Sequence, residues 1–486
     1  MKLYQKVLLI IVLFFYIYFR ITPIINQTVP YTYDQGRDFL KAREIVSQKN
    51  LTLIGPTTGL EGIFHGVWIY YFLTIPYILF SGNPIGFYYL FFFINLIANF
   101  LFFIFLYKKL NFNSGLFFLL LTNLSSYFVK NSFFPSNDHL APLFILAVIY
   151  FSYKYISKKE IKFLFLTVLS AGFVLESEFA FGLFLIPSLF FTFIFLEKKQ
   201  FFKKIPIFLL ALIPASFPRI IFEIKHNFLQ TKNFFKYLTL KNPIQISWQQ
   251  IIADRLNLFF NYLNEVLSFK YISIFFLLFF VLLIIFKKIT FKKEKLTWLK
   301  FNLLLLFIIF ILTIIYKKNP FYSYYLNGIE YIYLVIVILT LNQKNLFTKY
   351  FYNLLIAIFF IFNLISFKNS IITKKIPLVG LRADNRIINY FIKNESKDYF
   401  CLRIYTPPVI PYTYQYLLTY YADKNIIKYP KGDFYKNKCY FIIDKEPYEF
   451  RVKIWREENT PKNTKLTKII KFENGTNIEL WKEEQK

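Results

Sequence analysis

Acidic, histidine and arginine side chains recur just beyond the ends of long apolar runs in this chain, and their spacing limits the chemistry they could do. Tyr33-Asp34-Gln35-Gly36-Arg37-Asp38 follows the first apolar run. A carboxylate such as Asp34 or Asp38 can take the proton of a hydroxyl nucleophile, and Arg37 can meet a phosphate. The same spacing suits a helix start, with Asp34 as cap and Arg37 paired to Asp38 or, three residues back, to Asp34. In Leu60-Glu61-Gly62-Ile63-Phe64-His65-Gly66, Glu61 and His65 stand four apart. On a helix they would share a face and could ligate a divalent ion, whereas Gly59, Gly62 and Gly66 favour an irregular polar loop. Pro135-Ser136-Asn137-Asp138-His139-Leu140 places an acid and a histidine where a helix begins, and N-capping is the alternative role for Asn137 or Asp138. Leu175-Glu176-Ser177-Glu178-Phe179 puts two carboxylates at the turn between two apolar arms. Ionisable groups so placed are costly and default to a functional role. Glu223 and His226 close the set, in Phe222-Glu223-Ile224-Lys225-His226.

The elements that must position these groups are membrane helices. Of 486 residues 56% are apolar and 22% aromatic, with 66 Phe and 38 Tyr. A soluble globular chain, at roughly 45–50% apolar, could not cover that much hydrocarbon. The formal charge of +30 would suggest nucleic acid in a soluble chain, but here the bases cluster in short connections between apolar runs. Apolar segments at 3–19, 86–107, 113–130, 137–154, 163–177, 178–196, 202–222, 270–286, 300–316, 326–342 and 350–367 predict eleven crossings, the first an uncleaved helix with its N-terminus cytoplasmic. With that register the connections near 108, 154–162, 198–204, 287–300 and 344–349 hold eighteen bases against Glu160, Glu197 and Glu294, as expected of cytoplasmic loops. The outer turns hold few bases apart from Lys130, Lys317 and Lys318. Val67 to Ser81 is too short to cross and contains Pro76, so it is expected to lie along the outer interface. All three histidines, and carboxylates at four crossings, then share the outer side. Residues 1–367 read as the membrane module and 368–486 as a small extracytoplasmic α/β domain. Its expected elements are a helix near Asp384 to Lys393 and strands at Tyr440–Ile443 and Ile478–Trp481, beside the prolines at 407, 408 and 411. Cys401 and Cys439, both in that domain, could form one disulfide.

On these residues the chain resembles the GT-C superfamily of integral-membrane glycosyltransferases that use polyprenyl-phosphate-linked sugars. It is most similar to the bacterial transferases of the protein O-mannosyltransferase, lipid A aminoarabinose transferase and rhizobial lipopolysaccharide galacturonosyltransferase type. The resemblance rests on Asp34 with Asp38 in a large first outer loop, a surface helix before the second crossing, Asp138 and Leu140 at the outer start of the fourth crossing, and an outer soluble domain after an odd number of crossings. It implies that Asp34 is the general base or acceptor-orienting acid and Asp138 a second acid. Glu61 or His65 would face metal or donor phosphate, and Glu176 and Glu178 stand where many such sequences have a glutamine and a histidine. The family's Asp-Glu pair is Asp34-Gln35 here, and the Glu-Lys-Pro-Pro stretch of the aminoarabinose transferases is missing.

The function expected is transfer of a sugar from a polyprenyl-phosphate carrier to a glycan, lipid or protein acceptor at the outer membrane face. Catalysis falls to Asp34, Asp38 and Asp138, and substrate binding to Arg37, His65, Glu176, Glu178, Glu223 and His226. A divalent ion held by Glu61, His65, Glu178 and His226 is a further expectation. The alternatives are a lipid-linked glycan transporter or flippase, which would need polar residues lining a path to the cytoplasm, and an O-antigen polymerase or ligase, normally built around a large late outer loop. A bare anchor for the tail would not need eleven helices.

Overall fold

The computed structural model describes residues 1–240, 246–285, 293–316, 321–342, 346–372, 376–395, 398–407 and 410–484. Of the positions read above, Lys287, Lys288, Lys292, Lys317, Lys318, Lys344 and Pro408 lie outside the described residues. The chain divides into two compact units. One combines Met1–Arg20, Leu51–Phe72 and Leu90–Ile372; the other combines Ile21–Asn50, Leu73–Tyr89 and Thr373–Lys486.

Among the described residues, six helices are long and apolar enough to cross a membrane: Leu3–Ile25, Pro84–Lys109, Asp138–Lys158, Phe179–Glu197, Lys293–Ile315 and Thr348–Ile372. A seventh is added if Trp248–Leu267 and Lys270–Val281, bent by 106°, form one span. The chain is an integral membrane protein, but length and composition support six or seven spans where eleven were expected. Chain chemistry explains the difference. The run 202–222 is cut into Lys199–Phe202, Ile205–Leu210 and Ile213–Lys225. Pro206 and Pro214 each open a new piece, because proline lacks the N–H a continuing helix needs. The run 113–130 breaks at Ser125 into Phe112–Leu124 and Ser126–Asn131. Phe112–Leu124 and Ile329–Leu341, with 13 residues each, reach only about 20 Å, and Ile161–Ser177, with 17, about 26 Å. Trp68–Leu79, with 12 residues, is as short as expected for the segment before the second crossing.

The first helix also runs further than its apolar stretch and carries Arg20 inward, wholly buried. Its guanidinium donates to the Thr122 carbonyl at 2.7 Å and lies 3.6 Å from the Tyr16 ring centroid. Aromatic edges fill the core of this unit: Trp298 meets Tyr153 at 4.8 Å and Phe105 at 5.7 Å.

The second unit holds a four-stranded sheet in the order β1-β2-β4-β3. Here β1 is Leu402–Tyr405, β2 Lys438–Ile443, β3 Thr464–Lys471 and β4 Asn477–Glu483. β1 and β2 run parallel with Leu402 opposite Tyr440, and β4 is antiparallel to both its neighbours. The expected helix is Leu381–Glu395, and Cys401 is disulfide-bonded to Cys439. The acidic motif belongs to this unit. Its helix Tyr33–Gln48 packs on Tyr412–Asp423 so closely at Gly36 that a Cβ there would stand 2.5 Å from the Tyr412 carbonyl carbon. Glycine is what admits that approach.

Candidate active site

In the first unit, the segment 54–66 folds back on itself as an irregular loop. His65 N–H donates to the Pro56 carbonyl at 2.8 Å, and the Gly55 N–H donates to that of His65 at 3.0 Å. The loop is tied to the helix-helix turn by Gly66 N–H, which donates to the Glu176 carbonyl at 2.7 Å. A Cβ at Gly66 would overlap the Glu176 side chain, so this glycine serves contact with the turn.

A cavity of about 880 Å³ opens beside the loop. Thr58, His65 and Glu178 are among its polar lining residues, with the hydroxyl-bearing Tyr237, Tyr316, Tyr322, Tyr324 and Tyr325. Its apolar lining comes from Phe179, Leu183, Phe184 and Pro187 on one helix and from Leu312 and Ile315 on another. Glu178 is buried and stands at the N-terminus of Phe179–Glu197, where the helix dipole favours negative charge. Asp138 lies within electrostatic range of both His65 and Glu178.

Asp138 is held on several sides. One oxygen receives the Ser136 hydroxyl and lies 2.9 Å from His139 Nδ1; the other receives Asn327 Nδ2 at 3.3 Å. Asn327 also donates to the Asp138 carbonyl at 3.1 Å and is itself fixed by Tyr127 and by Asn131. His139 stacks on Phe134 with centroids 4.6 Å apart. The turn before the helix is thus a preformed polar knot, and Asn137, one of the two candidate caps, instead donates to the Ser177 carbonyl at 2.9 Å.

The two neighbouring glutamates take different parts. Glu178 lines the cavity, whereas Glu176 is buried in a two-pronged ion pair with Arg219, at 2.9 Å and 3.1 Å. Arg219 also donates to the Phe64 carbonyl at 3.0 Å and to Gln230 Oε1 at 2.9 Å. It therefore clamps the residue before His65. Glu223 accepts from the N–H groups of Gln230 and Thr231 and from the Thr231 hydroxyl, capping the helix Leu229–Thr239. Glu61 and His226 are exposed, and the His226 ring lies tilted against that of Phe222, with centroids 4.2 Å apart. Of the four residues expected around a metal, only His65 and Glu178 line the cavity. Among the described residues no three His, Cys, Asp or Glu side chains assemble as a metal-binding group, so the four do not fit a shared ion.

In the second unit, Thr32 rather than Asp34 caps the helix Tyr33–Gln48. Thr32 and Gln35 form a reciprocal capping box, with the Gln35 side chain accepting from Thr32 N–H at 2.9 Å. The glutamine that departs from the family's pattern thus has a local role. Asp34 is left 62% exposed and pairs with Arg37 at 2.9 Å, while Arg37 Nε reaches buried Asp38 at 2.8 Å. Sequence reasoning missed Arg219 and Asn327. Arg219 had a signal, a lone arginine inside the apolar run 202–222; Asn327, a neutral amide near a helix start, had none.

Residues 65–221 match the family described as Dolichyl-phosphate-mannose-protein mannosyltransferase. That stretch contains His65, Asp138, Glu176, Glu178 and Arg219. The whole fold is similar to ArnT from Cupriavidus metallidurans bound to undecaprenyl phosphate, with a TM-score of 0.61 at 8% identity over 98% of each chain. It is similar to the apo state of the same protein, with a TM-score of 0.59 at 8% identity over 98% of this chain and 97% of that one. No curated protein matches by sequence. The resemblance to GT-C membrane glycosyltransferases is therefore one of fold over nearly the whole chain and of sequence over residues 65–221, which supply His65, Glu178 and part of the apolar wall to the cavity.

Proposed function

We propose that this integral membrane protein is a glycosyltransferase that moves one sugar from a polyprenyl-phosphate carrier to a hydroxyl of a cell-envelope acceptor. The cavity beside the 54–66 loop carries the reading, because its lining combines His65, Glu178 and tyrosine hydroxyls with apolar helix side chains. An amphiphile with a sugar-phosphate head and a hydrocarbon tail has matching halves. The undecaprenyl phosphate bound by ArnT, a protein of similar fold, supports the same donor class here.

In the proposed step the acceptor oxygen bonds to the anomeric carbon as the bond from that carbon to the phosphate oxygen breaks. The polyprenyl phosphate leaves with the bonding pair, and a carboxylate takes the acceptor proton. Asp34 is the proposed base, on its exposure and on the family's motif, and Arg37 is proposed to offset phosphate charge. Asp138, held by Ser136, His139 and Asn327, is the proposed second acid. Purified protein given a panel of polyprenyl-phosphate sugars and envelope acceptors is expected to release polyprenyl phosphate and glycosylated acceptor together. Absence of release with every donor, from protein that remains folded, overturns the reading.

The proposed orientation keeps the N-terminus cytoplasmic and the second unit outside. The Cys401–Cys439 disulfide supports it, since such bonds persist in oxidising compartments. A reporter that matures only outside the cytoplasm is expected to be active when fused to the second unit at the C-terminus. An inactive fusion, with a cytoplasm-active reporter working at the same position, would sink both the orientation and the outer-face chemistry.

A further inference from the structure

The second unit contains a separate pocket of about 310 Å³, built by the helix Tyr33–Gln48, the turn after Trp68–Leu79 and the helix Tyr412–Asp423. Three tyrosines line it: Tyr77, Tyr416 and Tyr420. Arg43 and Asp423 stand among them as a two-pronged pair, with Nε to Oδ2 at 2.6 Å and Nη2 to Oδ1 at 2.8 Å. Gly82 contributes bare backbone. Its φ is +76°, and a Cβ there would come to 3.1 Å from the Tyr77 ring and 3.6 Å from the Tyr420 ring. The Tyr77 ring would have to shift slightly to admit a side chain there, and the positive φ is one that glycine adopts without strain. Tyr416 is fixed from below, its hydroxyl donating to the Gly82 carbonyl at 2.6 Å and its ring lying edge-on to Phe39 at 5.3 Å.

We infer that this pocket binds one monosaccharide unit of a glycan, through the faces of Tyr77 and Tyr420 and the outward edges of the Arg43–Asp423 pair. Hydrogen-bond geometry favours this ligand over an anion, although Lys424 is a second cation in the lining. Asp423 already occupies the prongs of Arg43 that a phosphate or carboxylate would need, so an anionic headgroup would have to break that pair or rest on Lys424 alone. A hydroxylated neutral ring does not. It can place C–H groups on a tyrosine face and accept from the remaining Arg43 N–H groups while donating to Asp423, all of which keep their mutual bonds. The volume is at the low end for small-molecule sites, which suits a single sugar ring. Within the proposed transferase, and resting on that reading, the sugar is part of the acceptor glycan. The pocket then makes substrate recognition a property of the second unit.

Saturation-transfer NMR on the full chain in nanodiscs, with a panel of free hexoses, pentoses and amino sugars and with inorganic phosphate, reads the site without any need for transfer. At least one sugar is expected to be saturated through its ring protons. Tyr420→Ala should reduce that signal by about tenfold, the scale of one aromatic stacking contact, while Tyr420→Phe, which keeps the ring, should retain it. In transfer assays Tyr420→Ala is expected to raise KM for the acceptor with little change in kcat. Four results overturn the inference: no saturated sugar, equal signals in both variants and the parent, loss of the signal in both variants, or displacement of the sugar by inorganic phosphate. If transfer fails with every donor while sugar binding follows Tyr420 as described, the pocket stands and the proposed reaction falls.

Discussion

Replacing Asp34 by asparagine is expected to lower transfer by about 10²- to 10⁴-fold, the usual loss on removing a general base. Asparagine keeps the shape and the hydrogen-bonding capacity but not the basicity. Stability should hardly change, because Thr32 and Gln35 cap this helix and Asp34 is 62% exposed. The Arg37 pair with Asp38, at 2.8 Å, survives the change. Thermal unfolding and size-exclusion profiles should therefore match the parent while the rate collapses. Full transfer by the asparagine variant would remove Asp34 from the chemistry and send the search to Asp38 or Asp138.

Arg219→Met should be the most destabilising single change near the cavity. Glu176 has a side-chain exposure of only 2%, and Arg219 one of 14%. Removing the cation leaves a buried carboxylate without its counter-charge, at a cost of about 3–5 kcal/mol. The same change releases the Phe64 carbonyl and Gln230, so the loop that presents His65 should loosen and transfer should fall with stability. A double variant, Arg219→Met with Glu176→Leu, is expected to recover much of the lost stability, since an apolar pair of similar volume can replace a buried ion pair. Activity should not return with it, because neither apolar side chain supplies a partner for the Phe64 carbonyl or Gln230. The measurement is denaturant or thermal unfolding beside transfer rate for the parent, the single and the double variant. A single variant as stable as the parent would show that water reaches Glu176 and that the pair does not clamp the loop.

The sequence was most informative where a property is additive along the chain. Apolar runs and lysine clusters are sums over neighbours, so membrane residence, the helix at 381–395 and the strands around Tyr440 and Ile478 followed from pattern alone. It was least informative about where an apolar run stops being one helix. Pro206, Pro214 and Ser125 break segments whose hydropathy is continuous, Ile161–Ser177 and Ile329–Leu341 stop short, and six or seven helices of sufficient length stand among the described residues where eleven crossings were expected. Residue type also singled out these acids without assigning their parts. Glu176, Glu178 and Glu223 look alike in sequence, each an acid beside the end of an apolar run.

Only the tertiary structure separated them, because the role of a carboxylate depends on which partner, from a distant segment for Glu176 and Asp138 and from the next helix for Glu223, reaches it. Arg219 reaches Glu176 across 43 positions, Asn327 reaches Asp138 across 189, and the N–H groups of Gln230 and Thr231 satisfy Glu223. Glu178 lines the cavity, within electrostatic range of Asp138. The sequence by itself determined that this is a membrane protein with acids and histidines gathered near helix ends, since composition and periodicity are local. Which of those groups are structural clamps and which line the cavity is a property of long-range contact, and the fold alone decided it.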